Sequence, residues 1–362
     1  MKYAFFLGAG ASKSCGAPLQ GELFKEYFLV RQEKRRHNHD FDAEHDMERE
    51  ISTLFAFLFG IDVDNGDLDQ IAFPTFEEVL GLLDLAIIRK QTLKNFENAH
   101  HNLNSDNRIE KCRQYLTYLM ASILYDKLNA VHNNHKDLVK RLDEADKLRD
   151  SIFISTNYDI LIDNALYEMR LNYPTRYMPD YGFKFTNFPQ DEDGISVPIY
   201  KLHGSLNWLY CPTCDTMDLT INEKGAIHLI RPDHESEKIQ CQQCESIKES
   251  VIIPPTYFKD YNNYFLTQVW HGAEQDLRSV EKIFFCGYSF PDADMHIKYL
   301  LKRIETNRNG NPLQVYVANG YPNKSEREKE VEKNRYNRFF TQAVTYLDAE
   351  FDDLIKCIEE YL

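Results

Sequence analysis

Six short runs of β-branched and aromatic residues limit what this chain can fold into: Tyr3–Leu7, Ser151–Ser155, Val197–Leu202, Lys282–Cys286, Leu313–Val317 and Ala343–Leu347. Most are apolar almost without interruption. A strand carries that pattern when both its faces are covered, as in parallel sheets. Between the first two runs, Glu50–Phe59, Phe76–Lys90, Ile109–Val131 and Lys136–Arg149 repeat apolar residues at helical spacing. A strand, a long helical stretch, then strands alternating with helices predict an α/β fold with a Rossmann-like, mostly parallel sheet. The expected division is a sheet domain from 1–18, 151–203 and 257–362, a helical insertion over 19–150, and a small module over 204–256. Further helices are expected at Gly21–Leu29, Met295–Ile304 and Phe351–Leu362. The charged pieces Arg31–Asp46 and Asp62–Asp69 read as solvated loops, and Asn319–Lys333 as a polar loop leading into a helix.

The module holds two Cys-x2-Cys pairs, Cys211/Cys214 and Cys241/Cys244, separated by 26 residues. Four thiolates at this spacing make a closed tetrahedral zinc site, structural because no coordination position stays open. His228 and His234 between the pairs are surplus to it. His37, His39, His45, His100, His101, His132 and His135 sit in polar stretches and read as surface residues. Asp62-x-Asp64-Asn65-Gly66 hints at a calcium loop, but its twelfth position is Phe73 and not Glu, which excludes one. Cys286 reads as a buried thiol.

Charge and hydropathy exclude other classes. With 57 acidic against 42 basic residues and a net charge of −15, direct nucleic-acid binding is not expected. No run of 18 apolar residues exists, so no membrane span is expected. The first residues turn glycine-rich too early for an export signal, so reduced thiols and a cytoplasmic location are expected.

Parallel sheets bind ligands beyond the carboxyl ends of their strands, and there the polar and small residues stand. The first run enters Gly8-Ala9-Gly10-Ala11-Ser12, and the second ends in Ser155-Thr156-Asn157-Tyr158-Asp159. The third ends in His203-Gly204, the fourth in Gly287-Tyr288-Ser289, and the fifth in Asn319. The glycine loop reads equally as a nucleotide site or a tight structural turn, because Lys13 replaces the fingerprint's third glycine. Singly, Asn157 and Asp159 read as helix caps, and His203 as a core histidine. Asp292 and Asp294 read as ribose or catalytic groups, or as caps of the helix after them. Convergence of five strand ends on one edge favours a site.

In order, these motifs resemble the NAD-binding and catalytic motifs of the sirtuins, and the cysteine module follows the histidine as the sirtuin zinc module does. The resemblance implies that Gly8, Ala9, Gly10, Ala11 and Ser12 cradle a pyrophosphate, with Thr156 beside them. Asn157 and Asp159 would lie by the nicotinamide ribose, His203 would be the general base or a ribose-orienting group, and Gly287, Ser289 and Asn319 would hold the adenosine half. The Gly-Ile-Pro-Asp-Phe-Arg stretch of the protein deacylases is absent, replaced by Ser14–Phe24. That departure resembles the sirtuin-like NAD-consuming effectors of antiphage defence. It implies an NAD glycohydrolase that forms nicotinamide and ADP-ribose, acts as a homo-oligomer, and answers to a partner ATPase or phage-sensing subunit. An NAD-dependent protein deacylase and an NAD- or ADP-ribose-binding regulatory subunit are the alternatives.

Overall fold

Tyr3–Leu7 forms β1, the centre of a seven-stranded sheet in the computed structural model. The model describes residues 1–36, 42–100, 108–128, 132–172, 177–188, 194–221, 240–253, 263–308, 312–320 and 324–362. The other strands are β2 (Ser151–Ser155), β3 (Tyr177–Asp180), β4 (Ile195–Lys201), β8 (Lys282–Cys286), β9 (Gln314–Ala318) and β10 (Val344–Leu347). Their order is β10-β9-β8-β1-β2-β4-β3, with every pairing parallel. β1 and β2 are buried at every position, which is why their sequences lack polar alternation.

Register carries this pattern to the site. Leu347, Ala318, Cys286, Leu7, Ser155 and Lys201 pair across six strands in one row. The ladder runs one rung further through Gly8 N–H to Cys286 O, Gly287 N–H to Ala318 O, Thr156 N–H to Leu7 O and Leu202 N–H to Ser155 O. The expected motifs therefore leave the sheet side by side. Chain order reverses between β1 and β8, the switch point at which open α/β sheets bind ligands.

Between β1 and β2 lie α1 (Ala9–Lys13), α2 (Leu23–Arg36), α3 (Asp42–Phe59), α4 (Phe76–Arg89), α5 (Phe96–Ala99), α6 (Arg108–Leu128) and α7 (Asn134–Glu144). α2, α3, α4 and α6 share a core around Phe24, Phe28, Phe55, Phe76 and Leu116. α7 instead gives Leu138, Val139 and Leu142 to the core of the sheet. α8 (Leu161–Asn172), α9 (Tyr264–Leu277), α10 (Met295–Thr306), α11 (Glu326–Phe339) and α12 (Phe351–Cys357) follow; α8 lies beside β3 and α9 beside β4. Among the described residues, no helix is long and apolar enough to cross a membrane.

Several expectations need correction. Arg31–Asp46 is no loop where it is described, because α2 runs to Arg36 and α3 starts at Asp42. Arg31 is buried, held by Glu48 at 2.7 Å, Asp64 at 3.1 Å and Ser52 at 3.0 Å. His100 and His135 are buried rather than surface residues; His100 sits 2.8 Å from Glu50, while His132 is exposed. The Lys136–Arg149 helix stops at Glu144. Two features went unread: the edge strand β3, and a three-stranded antiparallel sheet of β6 (Thr216–Leu219), β5 (Gly204–Cys211) and β7 (Glu249–Ile252). His37, His39, His101, His228 and His234 lie outside the described residues, as do 321–323 of the polar loop.

Candidate functional site

The first two strand ends to meet are interlocked by glycine. Gly10 N–H donates to Gly287 O at 2.8 Å. A Cβ on Gly8 would stand 2.6 Å from Gly287 O, and one on Gly10 2.7 Å from Gly287 Cα. Gly287 has φ +62°, and a Cβ there would reach 2.1 Å from Ala11 N. Only backbones without side chains can cross this closely. These glycines make the tight junction that the turn reading expects, and Ala9, Gly10 and Gly287 also line the cleft above it.

That cleft has a volume of about 750 Å³, in the range of small-molecule sites. It brings together Ala9, Gly10, Thr156, Asn157, His203, Gly287, Ser289 and Asn319. Ser12 and Asp159 line a smaller adjoining cavity of about 50 Å³, which shares Ala9, Thr156 and Asn157. Gly8 and Ala11 lie beneath, with Ala11 fully buried.

Asn157 leaves β2 with its side chain already committed on one side. Its Nδ2 donates to Gly8 O at 2.9 Å and to Ser12 Oγ at 2.9 Å. Ser12 can accept because its own proton goes to Asp159 Oδ2 at 2.6 Å. With both amide hydrogens used, Asn157 has only its carbonyl oxygen, an acceptor, left for a ligand. Asp159 is anchored in turn: Oδ1 accepts from Leu161 N–H at 3.0 Å, and its carbonyl accepts from Lys201 Nζ. Lys201, fully buried, pairs with Asp163 at 3.0 Å, which satisfies a charge that could not otherwise stay in the interior.

On the facing side, His203 is 2% exposed, and its Nε2 lies 3.8 Å from Asp294 Oδ1. That distance is ion-pair range and beyond a hydrogen bond. Asp294 Oδ2 accepts from the Tyr288 hydroxyl at 2.7 Å. Burial first, then the charge of Asp294, pushes the Tyr288 phenol well above its ordinary value, so it remains a donor. Asp294 stands at the start of α10 but makes no side-chain cap there; its carboxylate turns to His203 and Tyr288. Asp292 is outside the cleft and takes Lys298 at 2.8 Å, which lowers its carboxyl pKa. Asn319 Nδ2 donates to Tyr288 O at 3.1 Å and to Glu332. Gly204, with φ +79°, turns the chain from His203 into β5, and Ile253 N–H returns to His203 O at 2.9 Å.

Sequence reading missed Lys13, Gln20 and Glu77, which also line the cleft. Only Glu77 had a legible signal: Thr75-Phe76-Glu77-Glu78 is a capping box, which puts Glu77 in the first turn of α4.

The four module cysteines do converge. Cys211, Cys214, Cys241 and Cys244 have all their sulfurs within 4.8 Å of one another. Cys211 Sγ is 3.6 Å from Cys244 Sγ, and Cys241 Sγ 3.9 Å from Cys214 Sγ. Thiolates bound tetrahedrally at about 2.3 Å stand roughly 3.8 Å apart, so the cluster fits a zinc ion. Cys286 is buried, and burial raises its thiol pKa.

The family model for a SIR2-like domain matches residues 151–339. The solved structure "Structure of Sir2Tm bound to a propionylated peptide" is similar at 13% identity and a TM-score of 0.44, covering 99% of this chain and 92% of that one. "Sir2-p53 peptide-NAD+" is similar at 11% identity and a TM-score of 0.43, covering 99% and 92%. No curated protein matches the sequence.

Proposed function

Because the chain belongs to the SIR2-like domain family, we propose that the cleft takes NAD as its substrate and hydrolyses it to nicotinamide and ADP-ribose. The observation that carries this reading is the pairing of functions across one cleft. Asn157 offers an acceptor fixed by Gly8 and Ser12, and His203 offers an imidazole backed by Asp294. Hydrolysis of the nicotinamide–ribose bond builds positive charge on the sugar and needs a water that gives up a proton. An acceptor such as Asn157 Oδ1 orients that water through one O–H. His203 takes the proton, and the Asp294 carboxylate stabilises the imidazolium that forms. Asp159 acts one step back, holding Ser12 and through it Asn157.

Ala9, Gly10 and Gly287 would face the pyrophosphate, and Ser289 and Asn319 the adenosine end. The stretch Ser14–Phe24, which lacks the Asp-Phe-Arg element, supports water rather than an acylated peptide as acceptor. The setting we attach to this activity is antiviral defence by NAD depletion, in a homo-oligomer whose basal turnover a partner ATPase or phage-sensing subunit raises. Zinc at the four cysteines would have a structural role.

The test is product analysis with NAD alone. Equal amounts of nicotinamide and ADP-ribose are expected, with both lost in His203→Ala and Asn157→Ala. Turnover only with an acylated peptide would make the protein a deacylase. Saturable NAD binding without turnover would make it a regulatory subunit.

A further inference from the structure

α4 is capped by Thr75, whose hydroxyl accepts from Glu78 N–H at 3.2 Å while Glu78 Oε2 accepts from Thr75 N–H at 2.7 Å. This capping box sets the rotation of the first turn. Phe76 is thereby buried, 6.3 Å from the Tyr158 ring, which is itself 6.3 Å from the His203 ring. Glu77, one residue on, lines the same cleft as Asn157 and His203. Gln20 fixes it from the facing loop: Gln20 Nε2 donates to Glu77 Oε1, and Phe76 N–H donates to Gln20 O at 3.5 Å. This bond orients the carboxylate, and Glu78 rather than Glu77 supplies the cap.

We infer that Glu77 is a catalytic residue of the hydrolase proposed above, its carboxylate stabilising the positive charge that grows on the ribosyl carbon as nicotinamide leaves. The inference rests on that hydrolase reading. In the step, the electron pair of the C–N bond departs with nicotinamide, and the water oxygen forms the new C–O bond. The water proton passes to His203 and then to solvent. A fixed negative charge lining the cleft acts on the cationic transition state more strongly than on bound substrate. The helical block between β1 and β2 thereby supplies a reacting group as well as a wall.

The experiment measures nicotinamide release from NAD, and binding of a non-hydrolysable carbocyclic NAD analogue, for the full chain and two variants. Glu77→Gln keeps shape and hydrogen bonding but removes charge. It should lower kcat by roughly 10²-fold while analogue affinity changes by less than about threefold. Glu77→Asp keeps the charge on a shorter arm and should fall between, which separates loss of charge from loss of packing. Full kcat in Glu77→Gln beside an active wild type overturns the inference and leaves the hydrolase reading standing. Equal losses of kcat and analogue binding also overturn it, since the residue would then only help to bind or shape the cleft. A silent wild type overturns the hydrolase reading itself, and this inference with it.

Discussion

Ser12 Oγ accepts the side-chain amide of Asn157 at 2.9 Å while donating to Asp159 at 2.6 Å, so the serine proton, together with Gly8 O, sets which end of Asn157 meets the cleft. Ser12→Ala leaves Gly8 O as the only one of these two acceptors. The amide is then held less firmly, and Asp159 Oδ2 loses its donor in a buried place. Stability should fall by about 1–3 kcal/mol in urea unfolding, and kcat for nicotinamide release should fall with KM little changed. A variant with wild-type kcat would separate Asn157's orientation from catalysis.

The glycine junction makes a sharper stability prediction. Gly287→Ala sets a methyl 2.1 Å from Ala11 N at φ +62°, and neither backbone can move without disturbing a central strand. A loss of more than about 2 kcal/mol is expected. Gly21→Ala, with nothing within 4 Å of its Cβ, should stay within about 0.5 kcal/mol. Thermal unfolding of the two variants compares them directly.

Metal removal should reach the cleft through the backbone. The cysteine cluster sits at one end of the β5–β7 ladder, and His203 precedes its other end, held by Ile253 N–H. Elemental analysis should find one zinc per chain. Cys211→Ser should lose that zinc, lower the melting temperature and reduce nicotinamide release. Retention of full activity by zinc-free protein would uncouple the module from His203.

His135 gives a pH dependence of known sign. It is fully buried, 4.0 Å from Cys15 Sγ and 5.0 Å from the Phe351 ring. Burial lowers its pKa from 6.5 to about 4, against the raising effect of Asp159 and with the lowering effect of Lys201. Between these values the unfolded chain binds a proton that the folded chain refuses. Its contribution is therefore undiminished above pH 6.5 and drops by about 1.4 kcal/mol per pH unit as pH falls toward 4. Stability curves of wild type and His135→Gln should diverge over that window; parallel curves would contradict it.

How far sequence reading carried depends on where each residue finds its partners. β1, β2 and β8 were legible because all-apolar runs announce strands covered on both faces. The parallel register then made the strand-end motifs neighbours. β3 was not legible: four residues with Pro179 and Asp180 carry no strand pattern, and proline is tolerated there because β3 is an edge. Arg31 and His100 read as solvated because their partners, Asp64 and Glu50, are far away in sequence. Glu77 and Gln20 were missed for the same reason: their place in the cleft depends on tertiary packing of the helical block. Asp294 was left between cap and site; its carboxylate makes no cap and lies by His203 and Tyr288, neighbours that only the fold brings to it.

The most direct measurement of the central claim is nicotinamide release from NAD by the purified protein, with and without an acetyl-lysine peptide, beside His203→Ala. The account predicts release at the same rate in both conditions and none in the variant. Release that requires the peptide, or that survives in His203→Ala, would contradict it.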